Sequence, residues 1–383
     1  MARMTISEST REYETRLRTQ LGEEIVEKDL RAKHRKMADG PFSFLRATYW
    51  RWAETILDLC PELTGAPPVL AVGDIHLENF GTWRDAEGRL VWGVNDFDEA
   101  AEMPYVLDLV RLATSAVLAR ARGRTHAKVC AQVFNGYLLG LANPRPVVLD
   151  HDHAWLRRLV VVSEGERKRF WQKMDALAAG ETAPPPRYVA ALAAAMPDPG
   201  IEMVIRRRKA GAGSLGRPRW VGIGQWHCAP VVREAKAMVP PAWTRANGGP
   251  DPAQRSQIAS GRYRAPDPWL ALTGNIATRR LSPNNRKIEA DDDAADLTRP
   301  AMLGLMGQEL AAIHLGTGNG RTAIERDLQQ RPRNWLRAAV ENAEDFVRRD
   351  CKAWQESMEQ NAKATRRDIE DTRRGAGATE NNS

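Results

Sequence analysis

Cysteine is scarce, with 4 among 383 residues, at Cys60, Cys130, Cys228 and Cys351. They stand far apart and form no CxxC pair, so neither a disulfide framework nor a cysteine-based zinc site organises the chain. A reducing compartment is the expected setting. No run of about 18 apolar residues occurs, so no membrane span is expected. The opening stretch, MARMTISESTREYETRLRTQ, is polar and has no apolar core of the signal-peptide kind. The expectation is a soluble cytoplasmic protein with no membrane partner. Helix-turn-helix and zinc-finger spacings are missing, as are aromatics interleaved with basic residues, so nucleic acid is not the expected partner. There is no internal repeat.

What is present is enough to bury a sizeable core: 383 residues, 43% of them hydrophobic, which suits two domains or one large bilobed one. The net charge of +7 points to something anionic, be it nucleic acid, a phosphorylated small molecule or a nucleotide, and its sign alone does not choose among them. The basic clusters KHRKM, IRRRK and ATRRLSPNNRK supply much of it, and Arg46, Arg279 and Arg280 are suited to gripping substrate or ATP. Residues 8–38 are charged with sparse apolar positions and read as an exposed helix ended by Gly40 and Pro41. FLRATYWRWAETILDLC places Leu45, Tyr49, Trp52, Ile56 and Leu59 on one helical side. PPVLAVGD and GRLVWGVNDFDEA read as strands around the turn WRDAEG, followed by the helices YVLDLVRLATSAVLARA and CAQVFNGYLLGLA. An Ala/Pro/Gly-rich stretch marks a boundary at 177–200, and strand patterns follow on both sides of KAGAGSLGRPRW and in APVVREAKAMV. Residues 300–316 read as a helix with Met302, Leu305, Leu310 and Ile313 in its apolar set.

AVGDIHLENFGTW, residues 71–83, sets Asp74, His76 and Asn79 within six positions just after an apolar strand. Asp96, Asp98 and Glu99 follow the next strand, and a hairpin brings the two groups together. An amide oxygen beside a carboxylate makes a hard oxygen site suited to Mg²⁺, which keeps few protein ligands and takes the rest from phosphates. A further carboxylate outside that set can accept a proton from a hydroxyl. The pattern suits metal-assisted phosphoryl transfer. The order GD-x-H-x-x-N, strand, DFD is similar to the catalytic loop and metal-binding Asp of the protein-kinase-like superfamily, especially aminoglycoside and choline kinase relatives. That resemblance implies Asp74 as base with His76 beside it, Asn79, Asp96 and Asp98 as the metal group, and Asp108 as a structural aspartate.

Gly211, Gly213 and Gly216 form GxGxxG, with Ser214 inside it. Arg217-Pro218-Arg219-Trp220 and an alternating WVGIGQW follow in place of a helix, which favours a β-hairpin over phosphates and not a dinucleotide site. On the third strand Lys236 and Arg233 are three apart, so they face opposite sides and only one can point inward. Both remain candidates for the phosphate contact.

The chain resembles the DUF2252 family, through KHRKMADGPFSFLRAT, GDIHLENFG, NDFDEA, LDLVRLATS, GAGSLG, VVREAKA and GQELAAIHLGTG, which span residues 33–318. The resemblance implies an α+β, protein-kinase-like bilobed fold in circularly permuted order, with a helical catalytic lobe and a small β-rich nucleotide lobe. Its parts would be 1–176, N-terminal helices and catalytic loop; 177–200, a linker; 201–299, the nucleotide lobe with the glycine loop; 300–361, helices returning to the helical lobe; and 362–383, a disordered tail. The implied function is an ATP- and Mg²⁺-dependent phosphotransferase acting on a small-molecule hydroxyl. Val72 stands where many kinases carry a histidine, so that orienting contact is either absent or supplied by His76, and 254–262, QRSQIASGR, offers no glutamate for the usual lysine pair. A non-catalytic nucleotide-binding regulator and an AMP transferase are the alternatives.

Overall fold

The structure is a computed structural model and describes residues 4–119, 125–177, 183–209, 211, 213–249 and 255–380. A capping box between Thr5 and Glu8 starts α1 (Ile6–Leu21), and Gly22, at a φ of 53°, ends it before α2 (Glu27–Ala38). Ile6, Thr10, Tyr13, Leu17 and Leu21 recur every three or four residues and are buried. The single exposed helix expected over 8–38 is thus two helices, each with an inner face. The apolar count underestimated that face because Ser9, Thr10 and Lys33 belong to it. Next come α3 (Pro41–Ala47) and α4 (Tyr49–Leu59), split at Thr48.

The strand β1 (Pro68–Ala71) leads to the Asp74 loop; β2 (Phe80–Arg84) and β3 (Leu90–Val94) form the hairpin, and β4 (Ala101–Pro104) returns antiparallel to β1. The helices α5 (Val106–Leu118) and α6 (His126–Ala142) follow; residues 120 and 121 of the expected first helix lie outside the described residues. A short β5 (Val147–Val148) joins β3, and α7 (Ala154–Val160), α8 (Glu164–Asp175) and α9 (Pro186–Ala195) come after it. Residues 177–200, read as a linker, hold α9, whose Tyr188 and Leu192 are fully buried where the helix packs on the sheet that follows; residues 178–182 lie outside the described residues.

That sheet is formed by β6 (Met203–Arg207), β7 (Arg219–Trp226), β8 (Ala229–Ala237), β9 (Ala271–Thr273) and β10 (Ile276–Leu281), antiparallel in the order β6-β7-β8-β10-β9. Between β8 and β9 lie α10 (Ala242–Asn247) and α11 (Arg255–Ala259). The chain ends with α12 (Ala290–Leu297), α13 (Pro300–His314), α14 (Arg321–Gln330) and α15 (Trp335–Glu380). The backbone of α15 stays helical to Glu380, past residue 362 where fraying was expected; residues 381–383 lie outside the described residues. The protein is α+β, and one hydrophobic core runs from the helices into the five-stranded sheet, joining Leu109, Tyr137, Leu310 and Val340 to Trp220, Ala235 and Ile276. Among the described residues no helix is long and apolar enough to cross a membrane.

The tightest helix pairing is α6 on α13, and glycine makes it. A Cβ built on Gly136 would lie 1.9 Å from the Gly304 carbonyl oxygen, and one on Gly307 would lie 2.2 Å from that of Val133. Backbone touches backbone, so neither neighbour can yield by rotating a side chain. Gly136→Ala is expected to lower stability by about 2 kcal/mol through overpacking, measured as a fall in the thermal midpoint.

Candidate functional site

The loop after β1 is held by a carboxylate it does not itself carry. Asp108, in the first turn of α5 and fully buried, accepts hydrogen bonds from the Val72 N–H at 2.8 Å and the Gly73 N–H at 2.9 Å. His314, the last residue of α13, sets Nε2 3.1 Å from the same carboxylate, and the Tyr137 hydroxyl lies 2.9 Å from Nδ1. The carboxylate can only accept, so Nε2 is the donor of that pair. Gly73 has a φ of 77°, and a Cβ there would sit 2.4 Å from the Glu99 carbonyl oxygen. Only glycine fits that turn.

Asp74 follows directly. Arg111, one turn along α5 from Asp108 and fully buried, donates to Asp74 Oδ1 and, at 2.9 Å, to the Leu45 carbonyl. Its guanidinium lies over the rings of Tyr49 and Trp52, at 4.9 and 5.1 Å. Burial pushes the Asp74 carboxyl above its ordinary range, against the charge and hydrogen bond of Arg111, with Glu99 and Asp96 adding to the rise. A carboxylate raised in this way is a better proton acceptor.

Asn79 closes the turn by donating its amide nitrogen to the Asp74 carbonyl at 3.1 Å and the Asp96 carbonyl at 3.2 Å. Its oxygen is then the atom it can offer a cation. The pairing of Phe80 with Val94 and the Asn95 N–H to Asn79 carbonyl bond place Asp96 beside Asn79, as the hairpin reading requires. Lys236 of β8 lies 3.1 Å from Asp96 Oδ1 and also contacts Asp98. Burial raises Asp96, but Lys236, a hydrogen bond from Asp98 and the charge of Arg279 outweigh it and hold the carboxyl well below its ordinary range. Asp98 is pushed the other way, by burial and by the Asp96 charge. Asp96, with a side chain 37% exposed, is therefore the charged, accessible member of the pair. Among the described residues no three His, Cys, Asp or Glu side chains form a metal cage. Asn79 and Asp96 fit Mg²⁺ as a pair of oxygen ligands whose remaining partners come from phosphate and water, and Asp98, occupied by Lys236, fits that role less well.

The strand register also separates the two phosphate candidates. Arg233 points away from this group, donating to the Ala195 carbonyl at 2.6 Å and lying 4.3 Å from the Trp269 ring centre. Lys236 shares its face with Glu234, which is fully buried among Arg208, Arg219 at 3.0 Å and Arg279 at 2.7 Å. The glycine segment joins β6 to β7, and a Cβ on Gly213 would lie 3.2 Å from Asp74 Oδ2. Arg219 donates to the Ser214 hydroxyl at 2.9 Å. Gly216, at a φ of 97°, gives its carbonyl to the Val26 N–H at 3.0 Å, while Ala210 and Ala212 of the motif lie outside the described residues.

His76 is buried, and burial with the charges of Arg46, Lys287 and Arg111 pulls it well below its ordinary range. It is neutral near pH 7. The hydrogen bonds on the loop backbone come from Asp108, which His314 contacts in turn. Arg111, Glu234 and His314 were missed as site residues; a lone arginine in the apolar stripe of LDLVRLATS was the available signal for the first.

Asp74, Asn79, Asp96, Ser214, Arg219 and Arg279 all line one cavity of about 460 Å³, a size typical of small-molecule sites. Fold and cavity together define an α+β protein whose acidic loop and basic sheet face each other across a ligand-sized space. A family model described as an uncharacterized protein conserved in bacteria, DUF2252, matches residues 25–143, so that segment of the chain is similar to this family. No curated protein and no solved structure matches the chain. The matched segment carries Asp74, Asn79, Asp96 and Asp108 and stops short of the five-stranded sheet.

Burial raises Glu234, but Arg219, Arg279 and Arg208 outweigh it and hold its carboxyl far below the ordinary 4.5. A depressed folded-state value means a stabilising contribution complete above that pH and lost as pH falls below it. Glu234→Gln is expected to cost about 3 kcal/mol near neutrality by stranding buried cations. Thermal midpoints measured from neutral to acid pH should fall less steeply in the variant than in the wild type.

Proposed function

We propose that the protein is an ATP- and Mg²⁺-dependent phosphotransferase acting on a small-molecule hydroxyl, on a kinase-like two-lobed plan with its segments in permuted order. One observation carries the reading. A loop carboxylate, an asparagine and a second carboxylate line one cavity beside a glycine hairpin, and a strand lysine reaches the second carboxylate, although the hairpin and lysine come later in the chain.

In this reading Lys236, Arg219 and Arg279 hold the nucleotide phosphates, with Ser214 from the glycine loop. Asn79 and Asp96 would hold Mg²⁺, whose contribution is to neutralise charge on the phosphate oxygens. The acceptor hydroxyl gives its proton to Asp74 as its oxygen bonds to the γ-phosphorus; the bond from that phosphorus to the β,γ-bridging oxygen breaks, and ADP leaves with the electron pair. Arg111 keeps Asp74 oriented and, through its charge, holds down the rise that burial imposes on the carboxyl. A second reading, a non-catalytic nucleotide-binding regulator, draws support from the contact of Lys236 with Asp98 and the closeness of Gly213 to Asp74.

The test is a thermal-shift titration with ATP, with and without Mg²⁺, alongside nucleotide turnover. Saturation at about a hundred times Kd stabilises a protein by about 2.7 kcal/mol, and this shift should require the metal and vanish in Asp96→Ala. Asp74→Asn should keep the shift and lower turnover about 10²- to 10⁴-fold. A metal-dependent shift with no turnover in any protein selects the regulator reading. ATP labelled at the α or the γ position separates AMP transfer from phosphoryl transfer. No shift in the wild type overturns both readings.

A further inference from the structure

Lys33 of α2 is 1% exposed, and among the described residues its ammonium contacts two rings and a carbonyl, with no carboxylate in an ion pair. It lies 5.0 Å from the Tyr13 ring centre and 4.9 Å from that of Trp50, two rings stacked at 3.9 Å. Its one hydrogen bond among the described residues runs to the Gly213 carbonyl, at 2.8 Å across 180 positions of sequence. A buried, unpaired ammonium is expensive, and two ring faces and a carbonyl offset only part of that cost. The stability of the core gives no reason to keep it. The place it reaches does, because Gly213 is the residue whose Cβ would meet Asp74.

The peptide after Gly213 is trans, so its carbonyl and the following N–H point in opposite directions. With the Gly213 carbonyl fixed on Lys33, the Ser214 N–H is presented on the other side, and Ser214 lines the cavity. We propose that Lys33 is the positioning residue of the glycine loop, holding the Gly213 peptide so that the Ser214 amide faces the nucleotide phosphates. This rests on the phosphotransferase reading for the identity of the ligand, but not for the hold on the loop.

Lys33→Met keeps the length of the side chain and places an apolar group between two rings, an exchange that buried charges often tolerate without loss of stability. The expected result is a thermal midpoint equal to or above that of the wild type, together with MgATP affinity weaker by about tenfold, the value of one good contact. Limited trypsin digestion of the nucleotide-free protein reads the loop directly. Arg208 and Lys209 flank it, whereas Arg217 precedes Pro218 and resists cleavage. Cleavage after Arg208 and Lys209 should be faster in Lys33→Met, and Lys33→Arg, which retains a charged donor, should restore protection and affinity.

Unchanged cleavage in Lys33→Met overturns the proposal, as does unchanged MgATP affinity. A large fall in the midpoint also overturns it, because Lys33 is then a structural residue. If the wild type fails to bind MgATP, the phosphotransferase reading falls; faster cleavage in Lys33→Met would still support the hold of Lys33 on the loop.

Discussion

Everything at the cavity hangs from one buried carboxylate. Asp108 sits in the first turn of a helix, where the helix dipole favours negative charge, and accepts two backbone N–H bonds and a third contact from His314. Those bonds fix the peptides on either side of Val72, and through them the direction in which Asp74 leaves the strand. Arg111 repeats the device one turn later, on the Asp74 side chain itself. One helix thus sets both the backbone and the carboxylate of the loop, and Gly73 is the residue that lets the loop pass so close to Glu99.

The opposite wall is organised by the inverse arrangement, a single carboxylate among cations. Glu234 gathers Arg219 and Arg279 from two strands and Arg208 from just past the end of a third, and Lys236 projects from the same face two residues on. Without Glu234 the three guanidinium groups would repel one another across a low-dielectric sheet. With it, they form a preorganised positive surface whose geometry is paid for during folding and not on binding. The two walls meet where Lys236 reaches Asp96.

How much of this the chain disclosed in advance depended on sequence distance. Asp74, Asn79 and Asp96 belong to one strand-loop-hairpin unit, and period-two alternation with a short turn was enough to bring them together. Lys236 and Arg233 were not separable, because their faces depend on β8 being paired on both sides, with Arg219 and Ala277 opposite Lys236. Arg111 and His314 were illegible for a different reason: each is one polar residue on an otherwise apolar helix, and its role exists only once α5 and α13 face the same loop. The inner faces of the N-terminal helices were hidden because they carry Thr10, whose hydroxyl is satisfied by the Ile6 carbonyl one turn back, and Lys33, whose partner lies 180 positions away.

The contact of Asp108 with His314 spans 206 positions, and this distance imposes an order on synthesis. A ribosome adding about 5–20 residues per second completes the loop and α5 about 10–40 s before it delivers the imidazole. During that interval the carboxylate has its two backbone donors but no His314 to cap it, and α6 lacks the helix its glycines are shaped to receive. The nascent N-terminal half therefore emerges with a hydrated acidic loop and an open apolar groove, which α13 closes only late in synthesis.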